Sequence, residues 1–328
     1  MFEQMGLLGN VAVLMGSLLA LNKGSDLIID NSVKVADITG LGKTAVGFIL
    51  VALSTTLPEL SVSVLSALGQ GTIGVAIGNA VGSNIVNICL ILGICFLLIT
   101  IKNSKEAYSP LKMTREEIRS LYFGIFIASI VPLSLIYIGY ASRLIGILLI
   151  AIFTFYNIQI LKRKKKTNEI LSQNEGVEKI RRYVFMTFLG AAVVVASSYF
   201  IVGSSSYIAI NIGIPSIVIG ATIIAFGTSL PELVNSINAT KKGHIDLALG
   251  NIVGSGFINT TLILGVTLIA SPLRVNTAAF SNLILFSIIT NLFLWYFLLG
   301  EKISWREGSI LLFLYFLFLI TSFGIYKF

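Results

Sequence analysis

Apolar runs of about 20 residues recur along the whole length of the chain. A helix needs roughly 20 apolar residues to cross the hydrocarbon core of a bilayer, so each run is long enough to span a membrane. Hydrophobic residues make up 55% of the 328 residues, charged residues make up 12%, and the mean hydropathy is +0.93. Soluble proteins carry about twice that share of charged residues. The sequence therefore predicts an all-α polytopic membrane protein.

Polar breaks divide the apolar sequence into ten predicted transmembrane helices. They cover residues 6–31, 45–68, 72–100, 119–139, 142–161, 183–210, 214–239, 245–270, 278–299 and 307–326. The longest polar stretch, residues 162–182, is too short to fold alone. We therefore predict two five-helix halves, residues 1–161 and 183–328, joined by a basic cytoplasmic linker over residues 162–182.

Lys and Arg residues fall mainly on one side of this predicted topology. If the N-terminus lies outside, all but four of the 23 basic residues belong to inner loops or their borders. The exceptions are Lys23, Arg143, Arg274 and Lys327. Because basic residues mark cytoplasmic loops, the pattern predicts that both termini lie outside and that the chain resides in the cell membrane. Basic loops beside anionic lipid also explain the net charge of +8, so no nucleic-acid partner is needed.

The sequence contains an internal repeat. "GFILVALSTTLPEL" (47–60) aligns with "GATIIAFGTSLPEL" (220–233), and "IGNAVGSNIVN" (77–87) aligns with "LGNIVGSGFIN" (249–259). Each half has five predicted helices, an odd number, so the second copy enters the membrane from the opposite side. Such inverted repeats are typical of secondary transporters, whose substrate site lies near the midplane where the repeats meet.

Each first motif places a proline and a glutamate inside an apolar helix. Pro58 and Pro231 have no N–H to donate, so we expect each helix to kink and to free backbone oxygens one turn earlier. Irregular backbone at this depth is tolerated where it lines a cavity. Hydroxyl groups beside the two breaks add neutral oxygen ligands, at Thr55, Thr56, Thr228 and Ser229.

Glu59 and Glu232 are equivalent in the repeat, so we expect them to face each other near the centre of the protein. Two carboxylates there repel each other unless a cation pairs with them. An ionisable residue within a membrane is costly and usually functional. The pair therefore predicts a cation site.

The second motifs contribute further polar side chains. Ser83 and Asn87 are four residues apart, as are Ser255 and Asn259, so each pair lies on one helix face. Glycines spaced for close helix approach occur in both copies, at Gly78, Gly82, Gly250 and Gly254. We expect the first asparagines of these motifs, Asn79 and Asn251, to hydrogen-bond the neighbouring backbone.

Only oxygen ligands are available at the predicted site. The single histidine, His244, falls in an inner loop, and Cys89 and Cys95 have no metal-binding spacing. Oxygen ligands favour hard cations, and because Mg²⁺ gives up its water reluctantly, a dehydrated cage favours Ca²⁺ and Na⁺. Competition between these two cations for one site predicts an antiporter that needs no cofactor.

At these motifs the chain resembles the cation/Ca²⁺ exchanger superfamily, on its sodium/calcium exchanger branch. The carriers of the resemblance are "STTLPE" and "GTSLPE", each followed by a GN-x-x-GS motif with Asn four residues after the Ser. The resemblance covers essentially the whole chain. It implies Na⁺/Ca²⁺ exchange by alternating access, with the first and sixth helices sliding against a rigid core, and a minimal prokaryotic protein, which we expect to function as a monomer.

The resemblance also implies a set of cation ligands from both halves. They are Glu59, Glu232, Thr55, Thr56, Thr228, Ser229, Ser83, Ser255, Asn87 and Asn259, with backbone carbonyls at Ala52 and Ala225 binding Na⁺. Two positions depart from the family pattern. Ser54 replaces the usual Gly, and Asn259 stands where some relatives carry Asp, which removes a charge and argues against K⁺ co-transport.

Other functions remain open on the sequence alone. The same glutamate pair could exchange protons for Ca²⁺ or another divalent cation, although the GN-x-x-E patterns usual in proton-coupled relatives are missing here. A cation channel could use the acids as a filter, but an inverted repeat disfavours it. An intramembrane enzyme would need catalytic residues beside the two acids, and we expect no enzymatic activity.

Overall fold

The structure is a computed structural model, and it describes residues 2–39, 55–69, 73–102, 109–110, 115–163, 176–241, 243, 245–274, 277–300 and 302–324. It is almost entirely helical. Fourteen α-helical segments are described, with three π-helical segments between them. The α-helices are α1 Gly6–Thr39, α2 Leu57–Leu68, α3 Ile73–Ile85, α4 Gly93–Lys102, α5 Arg115–Ile138, α6 Arg143–Arg163, α7 Gly176–Ile212, α8 Ser216–Ile219, α9 Ala225–Thr228, α10 Leu230–Lys241, α11 Ile245–Ile258, α12 Leu264–Ala270, α13 Thr277–Leu299 and α14 Trp305–Gly324. The π-helical segments are π1 Val86–Leu92, π2 Gly220–Ile224 and π3 Asn259–Ile263, and a short 3-10 helix, Glu3–Met5, precedes α1.

Seven stretches of the described residues are long and apolar enough to cross a membrane. They are Glu3–Ile28, Ile73–Ile99, Ile118–Leu135, Lys179–Ile212, Ile245–Ala270, Phe280–Leu299 and Trp305–Gly324. A bent pair, Ser216–Thr228 with Leu230–Lys241, makes an eighth if it is one span. The two other predicted spans correspond to the shorter apolar helices Leu57–Leu68 and Arg143–Ile158, so ten crossings remain a prediction.

The spans differ in how deeply they are buried. Protein buries 78% of the apolar window in Ile73–Ile99 and 83% of that in Ile245–Ala270. The corresponding fractions for α1 and α7 are only 22% and 29%. The two helices that carry the GN-x-x-GS motifs are therefore central, whereas α1 and α7 pack along each other at the periphery.

The central helix α3 packs closely against the segment that precedes the second Pro-Glu motif. A Cβ atom added at Gly82 would overlap the backbone of Ala221, and one added at Gly78 would come within 2.9 Å of Ala221 N. These glycines therefore permit the close approach expected from their spacing. In the repeat, the segment equivalent to π2 falls at residues 47–51, which are outside the described residues.

Two small antiparallel strand pairs join the halves. β1 (Ser109–Pro110) pairs with β4 (Lys302–Ile303), and β2 (Tyr140–Ala141) pairs with β3 (Leu273–Arg274). Each pair links a connection of the first half to one of the second. The first and second halves of the chain are thus joined by backbone contacts between their connections.

Candidate cation site

Both Pro-Glu motifs begin at a break in the helix. Thr56 has φ −87° and ψ 0°, and the equivalent Ser229 has φ −86° and ψ 7°. The α2 and α10 helices start directly after these residues with the sequence Leu-Pro-Glu. In the second half, the two pieces of the span are bent by 47°. The proline therefore has the predicted local effect in that half.

Pro231 leaves the carbonyl of Gly227 without a helical donor, and this carbonyl accepts a hydrogen bond from α1 instead. Asn22 Nδ2, on α1, donates to Gly227 O at 3.2 Å and to Leu18 O at 2.8 Å. This bond connects the peripheral α1 directly to the break. The sequence interpretation missed Asn22, although an amide within the first apolar run was a signal. The corresponding first-half positions, Ala52 and Ser54, lie outside the described residues.

The two glutamates are fully buried and contact residues of the opposite half. Ser229 Oγ donates to Glu59 Oε1 at 3.2 Å, and the Thr55 hydroxyl hydrogen-bonds the Glu232 carboxylate. Ser255 Oγ also approaches Glu232 Oε1, at 3.5 Å. The repeated motifs therefore meet at one place, as their symmetry predicts.

Asn79 connects α3 to both Pro-Glu motifs. Its Nδ2 atom donates to Glu59 O at 3.2 Å and to Ser63 Oγ at 3.1 Å, and its Oδ1 atom accepts from Thr228 Oγ1 at 3.0 Å. The predicted backbone bond is therefore present. The side chain is fully used by protein contacts and positions the backbone of Glu59.

Asn251 makes a different contact from the one predicted. Its Nδ2 atom donates to a side chain, Ser236 Oγ, at 3.2 Å. Ser236 is the repeat equivalent of Ser63, so each half contains an asparagine–serine bond at the same place. Sequence reasoning missed both serines, although they recur four residues after the glutamates.

Several predicted ligands carry buried polar atoms with no hydrogen-bond partner among the described residues. These atoms are Glu59 Oε2, Glu232 Oε2, Ser83 Oγ, Asn259 Oδ1 and both amide atoms of Asn87. A buried polar atom left unpaired costs about 1–3 kcal/mol, so such a concentration indicates a binding site. Unpartnered buried atoms also occur elsewhere, for example on Ser287 and Asn291 of α13.

The other predicted ligands among the described residues already have hydrogen-bond partners in the protein. The Ala225 carbonyl accepts from Ser229 N at 3.1 Å and lies 3.3 Å from Thr228 Oγ1. The Thr56 side chain is buried at the first break. A cation at Ala225 would therefore share the carbonyl with a helical hydrogen bond.

Asn87 and Asn259 both lie in π-helical segments, π1 and π3. Extra residues in a helix turn of this kind are frequent at functional sites because they change the direction of side chains. No sequence signal predicted them. Within the described residues, no group of three or more His, Cys, Asp or Glu side chains could hold a metal ion.

A family model described as sodium/calcium exchanger protein matches residues 9–161 and 182–324. The chain belongs to the sodium/calcium exchanger family. The match divides into two segments that correspond to the two halves of the chain. The family assignment agrees with the resemblance found in the paired motifs.

Curated relatives extend this similarity over most of the chain. Sodium/calcium exchanger MaX1 of Methanosarcina acetivorans is 30% identical, with 96% of this chain and 99% of the relative covered. Inner membrane protein YrbG of Escherichia coli is 28% identical, with coverage of 88% and 89%. The chain is therefore a membrane protein similar to exchangers rather than to enzymes.

Solved structures of two exchangers have the same fold. The sodium-calcium exchanger NCX_Mj, soaked with 10 mM Na⁺ and zero Ca²⁺, matches with a TM-score of 0.65 at 26% identity, over 94% of this chain and 97% of its own. The H⁺/Ca²⁺ exchanger CAX matches with a TM-score of 0.76 at 19% identity, over 96% and 87%. The second match is evidence for the fold alone.

Proposed function

We propose that the protein is an antiporter that exchanges Na⁺ for Ca²⁺ by alternating access at the site between Glu59 and Glu232. The observation that carries the proposal is the crosswise contact between the halves, in which Ser229 bonds Glu59 and Thr55 bonds Glu232. Two buried carboxylates in mutual repulsion match the charge of one Ca²⁺ or help to hold more than one Na⁺.

The proposed ligands are the side chains predicted from the sequence, with neutral oxygens from both halves completing the shell. Ca²⁺ takes six to eight oxygen ligands in flexible geometry, and the carboxylate, hydroxyl and amide groups here provide that chemistry. The backbone carbonyls of Ala52 and Ala225 are proposed as additional Na⁺ ligands, as the family resemblance implies.

Strand pairing supports the proposed ten-helix inverted topology. Six predicted spans separate β1 from β4, and four separate β2 from β3, so each pair meets on one side of the membrane. If α6 did not cross the membrane, both counts would be odd and the paired strands would lie on opposite sides. The same holds for the bent span formed by α8, π2, α9 and α10. The repeat also relates the two strand pairs to each other. β1 and β3 each follow the third predicted span of their half, and β2 and β4 each follow the fourth.

The shallow burial of α1 and α7 supports their assignment as the moving layer. They pack along each other at the periphery, whereas the helices with the GN-x-x-GS motifs lie buried at the centre. Sliding of this pair would open the site to either side in turn. We propose that a single chain does this in the cell membrane, with both termini outside and the linker 162–182 in the cytoplasm.

Sodium coupling is favoured over proton coupling by the neutral oxygens around the acids. A proton needs only a carboxylate, whereas Na⁺ needs several oxygens, and Ser83, Asn87 and Asn259 each have a buried oxygen without a partner among the described residues. Similarity to the relative named sodium/calcium exchanger also supports Na⁺. Exchange of H⁺ for Ca²⁺ is the second candidate, and the CAX match supports only its fold.

The direct test is ⁴⁵Ca²⁺ uptake into proteoliposomes. Vesicles loaded with Na⁺ and diluted into Na⁺-free medium should accumulate Ca²⁺, and vesicles with equal Na⁺ on both sides and an imposed pH gradient should not. Uptake driven by the pH gradient alone would refute sodium coupling. A Ca²⁺ flux that needs neither gradient would indicate a channel.

Variants locate the site in the same assay. Glu59→Gln and Glu232→Gln should each abolish Na⁺-driven uptake, because each removes half of the charge that holds Ca²⁺. Asp246→Asn is the matched control, since Asp246 lies in the first turn of α11 and outside the proposed ligand set. Wild-type uptake by either glutamine variant would refute the site assignment.

A further inference from the structure

The two halves of the proposed site differ at one buried position. Asn84 of the first GN-x-x-GS motif corresponds to Gly256 of the second. A Cβ atom built on Gly256 would lie 3.5 Å from Asn84 Oδ1, so the Asn84 side chain lies against the glycine. Asn84 is 98% buried and was not among the predicted ligands.

Asn84 joins a chain of hydrogen bonds that ends on Asn259. Asn259 Nδ2 donates to Asn84 Oδ1 at 3.2 Å, and Asn84 Nδ2 donates to Thr260 Oγ1 at 3.1 Å. Thr260 Oγ1 then donates to Gly256 O at 2.8 Å. All three side chains in this chain are buried.

The direction of the chain is fixed at its far end. A backbone carbonyl can only accept, so the single hydroxyl hydrogen of Thr260 is committed to Gly256 O. Thr260 Oγ1 must then accept from Asn84, which leaves Asn84 to offer its oxygen to Asn259. Asn259 can pair with that oxygen only by donating a hydrogen bond from its N–H group. The amide orientation of Asn259 is thus determined by its neighbours.

The consequence is an amide oxygen free to bind a cation. Asn259 Oδ1 is buried and has no partner among the described residues, whereas Nδ2 is held away by Asn84. In the other half Gly256 replaces the equivalent of Asn84, and both amide atoms of Asn87 lack a partner among the described residues. One amide is therefore oriented by a neighbouring side chain and the other is not.

We propose that Asn84 is a positioning residue that orients Asn259, so that the amide oxygen and not the nitrogen faces the transported cation. Because the chain requires an N–H group at position 259, Asn84 also matches a neutral amide there better than a carboxylate. The inference rests on the proposed cation site. Residues that orient metal ligands typically change affinity about 10- to 100-fold when they are lost.

Two adjacent threonines provide a matched test. Thr260 and Thr261 are both buried in π3, and each donates to the carbonyl four residues earlier, at 2.8 Å and 2.6 Å. Of the two, only Thr260 also accepts a hydrogen bond from Asn84 within the described residues. Thr260→Val therefore removes the anchor of the chain, whereas Thr261→Val removes a local bond of the same kind.

The readouts are the half-saturating Ca²⁺ concentration for Na⁺-driven uptake and the rise in melting temperature of the purified protein with added Ca²⁺. Thr260→Val should raise the Ca²⁺ requirement, meaning the concentration that half-saturates uptake or the rise in melting temperature, about tenfold in each measurement. Thr261→Val and the conservative Thr260→Ser should stay within about twofold of wild type. Asn84→Leu should raise the Ca²⁺ requirement as much as Thr260→Val does. The double variant should need no more Ca²⁺ than the more affected single variant, because both substitutions interrupt the same series of hydrogen bonds.

Equal effects of Thr260→Val and Thr261→Val, no rescue by Thr260→Ser, or additive effects of Asn84→Leu and Thr260→Val would each overturn the inference. The melting measurement separates it from the proposed function, because it does not require transport. A wild-type protein that binds Ca²⁺ but transports none would refute the antiporter alone. A wild-type protein that Ca²⁺ does not stabilise would overturn both.

Discussion

The hydrogen bond between Asn22 and Gly227 predicts a measurable link between α1 and the helix break. Gly227 O is the carbonyl that Pro231 cannot serve, and Asn22 Nδ2 donates to it at 3.2 Å. Asn22→Leu keeps the approximate shape of the side chain and removes the donor. Leu18 O, the other acceptor, lies one turn earlier on the same helix and keeps its helical hydrogen bond.

The expected cost comes from the Gly227 carbonyl alone. A buried carbonyl left without a donor costs about 1–3 kcal/mol. The control is Asn157→Leu on α6, because Asn157 is also half-buried and bonds the carbonyl four residues earlier, Phe153 O, at 2.8 Å. Both variants gain the same apolar side chain, so the difference between them isolates the bond to Gly227.

Chemical denaturation of both purified variants in detergent measures this difference. Asn22→Leu should be less stable than Asn157→Leu by about 1–3 kcal/mol, and the free energy of unfolding of the control should lie close to that of wild type. Equal stabilities for the two variants would show that the hydrogen bond from Asn22 to Gly227 O does not stabilise the helix break.

Two further perturbations test the packing and the break. Gly78→Ala should lower the free energy of unfolding by about 1–3 kcal/mol, because its Cβ would come within 2.9 Å of Ala221 N; Gly16→Ala, with no atom within 4 Å, should cost nothing in the same denaturation assay. Pro231→Ala supplies an N–H that can reclaim Gly227 O, so a structure of the variant should show a bend well below 47°, and its half-saturating Ca²⁺ concentration should rise roughly tenfold. An unchanged bend would mean that the proline does not cause the break.

Much of the fold and site could be predicted because the repeat shows which polar residues occupy equivalent positions in the two halves. Polar residues that recur inside apolar helices have few structural explanations, so the paired glutamates indicated a common site before any contact was known. Pro231 likewise predicted the break in the second half, because a missing N–H has a local and predictable consequence. The crosswise bonds of Ser229 and Thr55 follow from the same symmetry.

The features that were missed lack such a signal. Asn84 stands opposite a glycine in the repeat, so a search for matching residues passes over it. The π-helical segments have no distinctive sequence pattern. Asn22 lies in α1, where the repeat is weak, and its contact with Gly227 spans 205 residues of sequence. Such contacts depend on tertiary structure and cannot be obtained from local patterns.

The position of a bound divalent cation shows whether the two Pro-Glu motifs form one site, and Sr²⁺ is a suitable anomalous scatterer for crystals of the purified protein. We expect a strong anomalous peak between Glu59 and Glu232, about 2.3–2.6 Å from a carboxylate oxygen of each, as is usual for a calcium-like ion. Crystals of Glu232→Gln soaked in the same way should lose the peak. A dominant peak elsewhere in the helical core, or one that survives in Glu232→Gln, would contradict the claim that the two repeated motifs form one cation site.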